Sequence, residues 1–201
     1  MMKIGIYGGS FDPPHKGHKL LCENLKNISG VEKVLIIPAS LSPFKTKNNV
    51  SAEDRFNMCK LNFNESCYEV SDIELARGGK SYTVDTVNQI KNLYPESELY
   101  LFMGDDMLLS FNKWYKHEEI LKLCTLVCAC RSENLSELQN MKDYAENVLG
   151  LDGNRCIVCE SVPFEISSTE IRRADLNEKE KYLDVNVFNY IKSRGLYNDK
   201  R

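Results

Sequence analysis

Gly5-Ile-Tyr-Gly-Gly-Ser-Phe-Asp-Pro-Pro-His-Lys-Gly-His18 decides how this 201-residue chain is read. Ahead of it, Lys3 to Tyr7 read as a short strand; beyond it, Leu20, Leu21, Leu25 and Ile28 recur at helical spacing. The stretch is therefore a strand, a glycine turn and the start of a helix that carries two histidines. Gly8-Gly9 allows a sharp turn and a close approach of ligand to the main chain. Pro13-Pro14 delays the helix to about residue 14 or 15. His15 and His18, three apart, then share one face of the first helical turn. The unpaired N–H groups and positive dipole end of a helix start attract phosphate, and two imidazole donors there add to that pull. His18 also falls on the stripe His18, Leu21, Leu25, Ile28, which for a lone histidine would mean a satisfied core residue. Two of the chain's three histidines beside a glycine turn and a double proline favour a phosphoryl site instead.

Composition narrows the class. The length suits one α/β domain over residues 1–201, with a C-terminal helical portion from about 167 onward. A formal charge of −3 argues against a nucleic-acid surface, which would be basic. No apolar stretch approaches a signal peptide or a membrane span, so a cytoplasmic protein is expected. The eight cysteines are then expected to be free thiols. Cys128 and Cys130 fall on one face of a strand. Cys156-x-x-Cys159 has the spacing of half a zinc site, yet Arg155 to Glu160 reads as a strand, which would put its sulfurs on opposite faces.

Strand and helix signals alternate along the chain. Lys33 to Pro38 is a continuous apolar run, as in a parallel strand buried on both faces. Residues 39–50 have no period, and a loop of that length is usually functional or mobile. Ser51 with Asp54 resembles a capping box opening a helix with Ala52, Phe56, Cys59 and Phe63 on one face. Strands are expected at Cys67–Ser71, Glu98–Met103, Leu123–Cys130 and Arg155–Glu160. Helices are expected over Thr83–Tyr94 and Glu137–Leu149, after Ser167-Ser168-Thr169, and around Val187, Phe188 and Ile191, with Gly195 as a C-terminal cap. This alternation implies a Rossmann-like, doubly wound, mostly parallel sheet with helices on both faces. In such a sheet ligands bind at the carboxyl ends of the strands, near a topological switch point. The candidate chemical residues all follow strands, which supports one composite site.

Several further stretches carry chemistry. Glu165-Ile-Ser-Ser-Thr-Glu-Ile-Arg172 supplies a cap hydroxyl and a helix start for phosphates, with Arg172 ahead of Arg173 for a bidentate pair. The plainer reading is an N-cap followed by a surface arginine. Asp12 could touch ligand, although a turn or capping role before proline fits as well. Gly104-Asp105-Asp106 after a strand is weak on its own. Trp114, the only tryptophan, would otherwise be core.

The H-x-G-H arrangement resembles the signature of the nucleotidyltransferase superfamily of adenylyl- and cytidylyltransferases. The longer string is most similar to the bacterial nicotinate mononucleotide adenylyltransferase family, and the likeness extends from about residue 3 to Tyr197. The resemblance implies that His15, His18 and Arg172 are catalytic. It implies that Gly8, Gly9, Ser10, Phe11, Gly104, Asp106, Ile166, Ser167, Ser168 and Thr169 hold ATP. By the same likeness Lys45, Tyr82, Thr83, Trp114, Tyr115 and Arg131 hold the mononucleotide, with Trp114 stacking on its pyridine ring. Phe44 stands where the family usually has histidine, which puts that donor in doubt. The implied reaction joins ATP and nicotinate mononucleotide to give deamido-NAD and pyrophosphate, with Mg²⁺ held mainly by ATP phosphates. Neither nucleic acid nor membrane is an expected partner; a homo-oligomer is compatible with the sequence. The rival readings are an adenylyltransferase for nicotinamide mononucleotide or phosphopantetheine, or a nucleotide sensor without catalysis.

Overall fold

The computed structural model describes residues 1–43, 47–130, 135–161, 164 and 166–198. Its frame is a parallel sheet of β1 (Lys3–Gly9), β2 (Lys33–Pro38), β3 (Tyr68–Val70), β4 (Glu98–Gly104), β5 (Cys124–Cys130) and β6 (Cys156–Glu160). β2, β4 and β5 are buried almost throughout, which is why they read as unbroken apolar runs rather than alternating ones. The strand order is β3-β2-β1-β4-β5-β6, with Ile6 of β1 level with Leu35 on one side and Leu101 on the other. The chain winds outward from β1 in one direction, then crosses back and winds outward from β4. The carboxyl ends of β1 and β4 thus diverge and open a crevice between them.

The helices are α1 (Lys16–Ser29), α2 (Ala52–Asn62), α3 (Ile73–Arg77), α4 (Thr83–Leu93) and α5 (Asp105–Leu108), then α6 (His117–Leu123), α7 (Leu135–Asn147), α8 (Ser168–Arg173), α9 (Leu176–Tyr182) and α10 (Val185–Arg194). The long ones are those the apolar spacing predicts, within two residues at most ends. Helices α3, α5, α6 and α9 were not expected: at four to seven residues each, they are too short to show a period. Ser51 caps α2 as anticipated, accepting from the Asp54 N–H at 3.0 Å, and Gly195 closes α10 with φ 62°.

Two cores sandwich the sheet. Ile4, Ile6, Leu35, Leu101 and Leu126 pack under α4 on one face, while Tyr7, Val34, Ile36, Phe102 and Val127 pack under α1 and α2 on the other. Cys128 and Cys130 share the first face, whereas Cys156 and Cys159 fall on opposite faces. The strand geometry therefore denies the latter pair a chelating arrangement, and none of the eight cysteines is in a disulfide. A third cluster, Met58 with Ile171, Leu183, Val187, Phe188 and Ile191, fastens the C-terminal helices to α2. Asp54 reinforces it, accepting from the Tyr190 hydroxyl at 2.9 Å and from Arg194 at 3.2 Å. This fastening brings α8 back over the turn after β1. No helix among the described residues is long and apolar enough to cross a membrane.

Candidate active site

The turn after β1 is made differently from what its glycines suggest. Gly8 and Gly9 remain in the strand, and the positive φ falls on Phe11, at 46°. Such a backbone costs a non-glycine residue about 1–2 kcal/mol. The Phe11 ring, 1% exposed, is packed against Tyr7, Phe63 and His18, and burying a phenyl ring yields about 1.5–3 kcal/mol. Packing therefore outweighs the local preference. Asp12 follows, fully buried, and serves the turn. Its carboxylate accepts from the Asn49 N–H at 2.9 Å, the Asn49 side chain at 2.7 Å and the Tyr197 hydroxyl at 2.8 Å. A residue at the far end of the chain thus holds the turn in place.

His15 is the N-cap of α1 rather than its first helical residue, in extended backbone (φ −147°, ψ 170°). The His15 N–H donates to His18 Nδ1 at 3.1 Å, and the two rings lie 3.7 Å apart. With Nδ1 an acceptor, the neutral His18 ring carries its proton on Nε2. No acidic residue stands in the first turn of α1, so its positive end is uncompensated. His15 is 6% exposed, and burial lowers its pKa to about 4. It is therefore neutral at pH 7, and its buried Nδ1 has no hydrogen-bond partner. The positive potential expected from the imidazoles belongs to the helix end.

Part of that burial comes from Phe164, whose ring stacks on His15 at 5.6 Å and 8°. A Cβ on Gly17 would lie 2.2 Å from the Phe164 ring, so the glycine of H-x-G-H is the space in which that ring sits. The sequence signal was available, since only glycine tolerates such an approach, but the partner lies 147 positions further on and no spacing announces it.

These groups open on a cleft of about 940 Å³. Of the residues expected to hold ATP, Gly8, Gly9, Ser10, Phe11, Gly104, Asp106, Ile166, Ser167 and Ser168 line it, together with His15 and His18. Tyr82, Thr83, Trp114 and Tyr115 form another stretch of its wall, with the Tyr82 and Tyr115 rings 4.9 Å apart and Trp114 packed on Phe111. Thr169 and Arg172 are not on the wall. The Arg172 guanidinium donates to the Asp12 carbonyl at 2.7 Å and to the Thr169 hydroxyl at 3.0 Å, bracing the turn. Ser168 does the same through the Pro13 carbonyl at 2.9 Å. Lys45 and Arg131 lie outside the described residues. Sequence reasoning did not single out Glu74, Thr86, Phe164 or Glu170, which also line the cleft.

Glu170 closes a capping box on α8. Its carboxylate accepts from the Ser167 N–H at 2.7 Å and the Ser167 hydroxyl at 2.6 Å, and these bonds hold its pKa below the ordinary value. The second expected phosphate site thus has a carboxylate of the chain's own at its cap, while Ser167 and Ser168 still line the cleft. Among the described residues no three His, Cys, Asp or Glu side chains are grouped to hold a metal. The cleft's carboxylates, Glu74, Asp106 and Glu170, are not grouped, which suits an ion carried by substrate phosphates and water.

A family model for cytidylyltransferase-like proteins matches residues 6–174. A Dehalococcoides mccartyi protein named "Probable nicotinate-nucleotide adenylyltransferase" is 37% identical over 201 residues, covering 98% of this chain and 97% of its own. The chain belongs to the nicotinate-nucleotide adenylyltransferase family. A Carboxydothermus hydrogenoformans protein of the same name is 37% identical over 97% of this chain and 98% of its own. The fold of this adenylyltransferase is shared with the Plasmodium falciparum nicotinic acid mononucleotide adenylyltransferase solved in complex with NaAD. That likeness has a TM-score of 0.77 at 21% identity, over 98% of each chain.

Proposed function

We propose that this adenylyltransferase moves the adenylyl group of ATP onto the phosphate of nicotinate mononucleotide, releasing pyrophosphate. The observation that carries the site assignment is the His15–His18 pair. The two imidazoles meet 3.7 Å apart at an uncompensated helix start, at the mouth of the switch-point crevice.

The acceptor phosphate attacks the α-phosphorus in line, and charge grows on the oxygens of that group. Such a reaction asks the protein for positioning and charge stabilisation, with little covalent work. His18, with its proton on Nε2, donates to an α-phosphoryl oxygen. His15 does the same from a dry site, where a hydrogen bond to an anion is strong. As the anion arrives, its charge raises the His15 pKa and favours the protonated ring in the transition state. Gly8 has open space beside its Cα, which leaves the backbone approachable by nucleotide. The wall of Tyr82, Trp114 and Tyr115 takes the pyridine end, and Lys45 and Arg131 are assigned to the acceptor phosphate. Arg172 and Ser167–Thr169 are assigned to the β- and γ-phosphates; for Arg172 this requires release from the Asp12 carbonyl. Mg²⁺ held through those phosphates would supply neutralising charge for the leaving pyrophosphate.

The test is pyrophosphate release with ATP, Mg²⁺ and one acceptor at a time: nicotinate mononucleotide, nicotinamide mononucleotide or phosphopantetheine. The expected result is the highest kcat/KM on nicotinate mononucleotide. Greater turnover on another acceptor, or tight ATP binding with no pyrophosphate from any, overturns the assignment.

A further inference from the structure

One buried carboxylate near the cleft has no part in the reaction as described. Glu74, at the start of α3, is 7% exposed, and its burial pushes its pKa up. A carboxylate is not left in such a place without donors. Here it accepts from the Thr86 hydroxyl at 2.6 Å and from the Ser81 hydroxyl. Arg77 donates to Thr86 at 2.9 Å and stands 4.0 Å from the carboxylate. Ser81 and Thr86 flank Tyr82 and Thr83, so Glu74 grips the acceptor wall from both sides.

The grip continues beyond the wall. The Ser40 N–H donates to Ser81 Oγ at 2.9 Å, and the Ser81 N–H donates to the Leu41 carbonyl at 2.9 Å. The loop after β2, which leads to Lys45, is thereby sewn to the turn before α4. The other side of Ser40 faces a second buried charge. Arg55, fully buried in α2, donates to the Ser40 carbonyl at 3.2 Å and to the Ser10 carbonyl at 2.8 Å. Glu74 and Arg55 thus bracket Ser40. An unbroken chain of hydrogen bonds leads from the acceptor wall, through Ser81, Ser40 and Arg55, to the turn that carries His15.

We infer that Glu74 is a positioning residue for the mononucleotide, setting the Tyr82–Thr83 wall and the loop after β2 at a fixed distance from the phosphoryl turn. This rests on reading the Tyr82–Trp114 end as the acceptor site. Because Glu74 acts through Ser81 and Thr86 and contacts no reacting atom, its loss is felt in acceptor binding. ATP binding, built on the β1 turn and α8, is left nearly intact.

The experiment measures KM for nicotinate mononucleotide, KM for ATP and kcat in Glu74→Ala and Glu74→Gln, with thermal melting alongside. Loss of two bonds to a charged acceptor predicts an acceptor KM raised about tenfold in Glu74→Ala, and less in Glu74→Gln, where an amide oxygen still accepts. The KM for ATP stays within about twofold. Thr86→Val and Ser81→Ala each remove one donor to the same carboxylate and predict a smaller rise in the acceptor KM alone; they carry the test where Glu74→Ala does not fold. Equal changes in both KM values, or an unchanged acceptor KM in all four variants, overturn the inference. Wild-type protein without turnover on any mononucleotide would instead overturn the reaction, a result distinct from either.

Discussion

Two helix starts face the same cleft, and they are built on one plan with opposite electrostatics. In each, the third helical residue reaches back to the N–H of the cap: His18 Nδ1 to His15 at α1, Glu170 Oε2 to Ser167 at α8. At α1 the group reaching back is a neutral ring, and the dipole end remains available to an anion. At α8 it is a carboxylate, which takes the cap N–H and offsets part of the same field. A capping motif alone therefore does not fix the field at a helix start; the charge of the group that closes it does. His15 sharpens the contrast, being dry, neutral and short of a partner at Nδ1, whereas the α8 box is saturated.

The largest effect expected from this difference is on turnover. His18→Ala should fold normally by circular dichroism and lose about 10²–10³ in kcat, as when one preorganised donor is removed from a developing oxyanion. Ser167→Ala should cost about 1 kcal/mol of stability as a lost cap, with kcat reduced less than tenfold. Equal losses in kcat would erase the distinction between the two helix starts.

The next effect is on acid stability. A histidine at about 4 when folded and 6.5 when unfolded leaves the unfolded chain binding more protons between those values. Stability therefore rises with pH through that window and is lost toward acid, by at most roughly 3 kcal/mol. Urea melts at about pH 4.5 and about pH 7 should differ less in His15→Gln than in the wild type. A difference as large in the variant would place the acid sensitivity elsewhere. Carbon-13 chemical shifts of the His15 ring should report the low pKa directly, and an upward move when nucleotide is added.

The smallest effect should come from Glu170→Gln. Glutamine still closes the box, so α8 persists, but the competing charge is gone. The KM for ATP should fall about two- to fivefold. A rise would mean that the carboxylate serves ATP, and the comparison would reverse.

How much of this was legible depends on how far apart the cooperating residues lie. The alternation of apolar strands and amphipathic helices is local, and it yielded the sheet, the long helices and the placement of candidate residues after strands. The short α3 was missed because five residues show no period, and Glu74 was missed with it. Arg172 was named for ligand contact and Asp12 for either a ligand contact or a turn role, and both brace the turn after β1. Arg172 reaches the Asp12 carbonyl across 160 positions and Tyr197 reaches the Asp12 carboxylate across 185.

By itself, the sequence determined the doubly wound class and the delayed start of α1 after Pro14. It also determined the presence of two histidines one helical turn apart, because backbone sterics and hydrophobic periodicity act over a few residues. Only the tertiary structure decided which polar groups are spent on the fold and which are left for substrate. Phe164 dries His15, Tyr197 and Asn49 consume Asp12, and Glu170 sets a negative charge at the second helix start. Those outcomes follow from desolvation and from partners brought together by folding, and neither is encoded in the spacing along the chain.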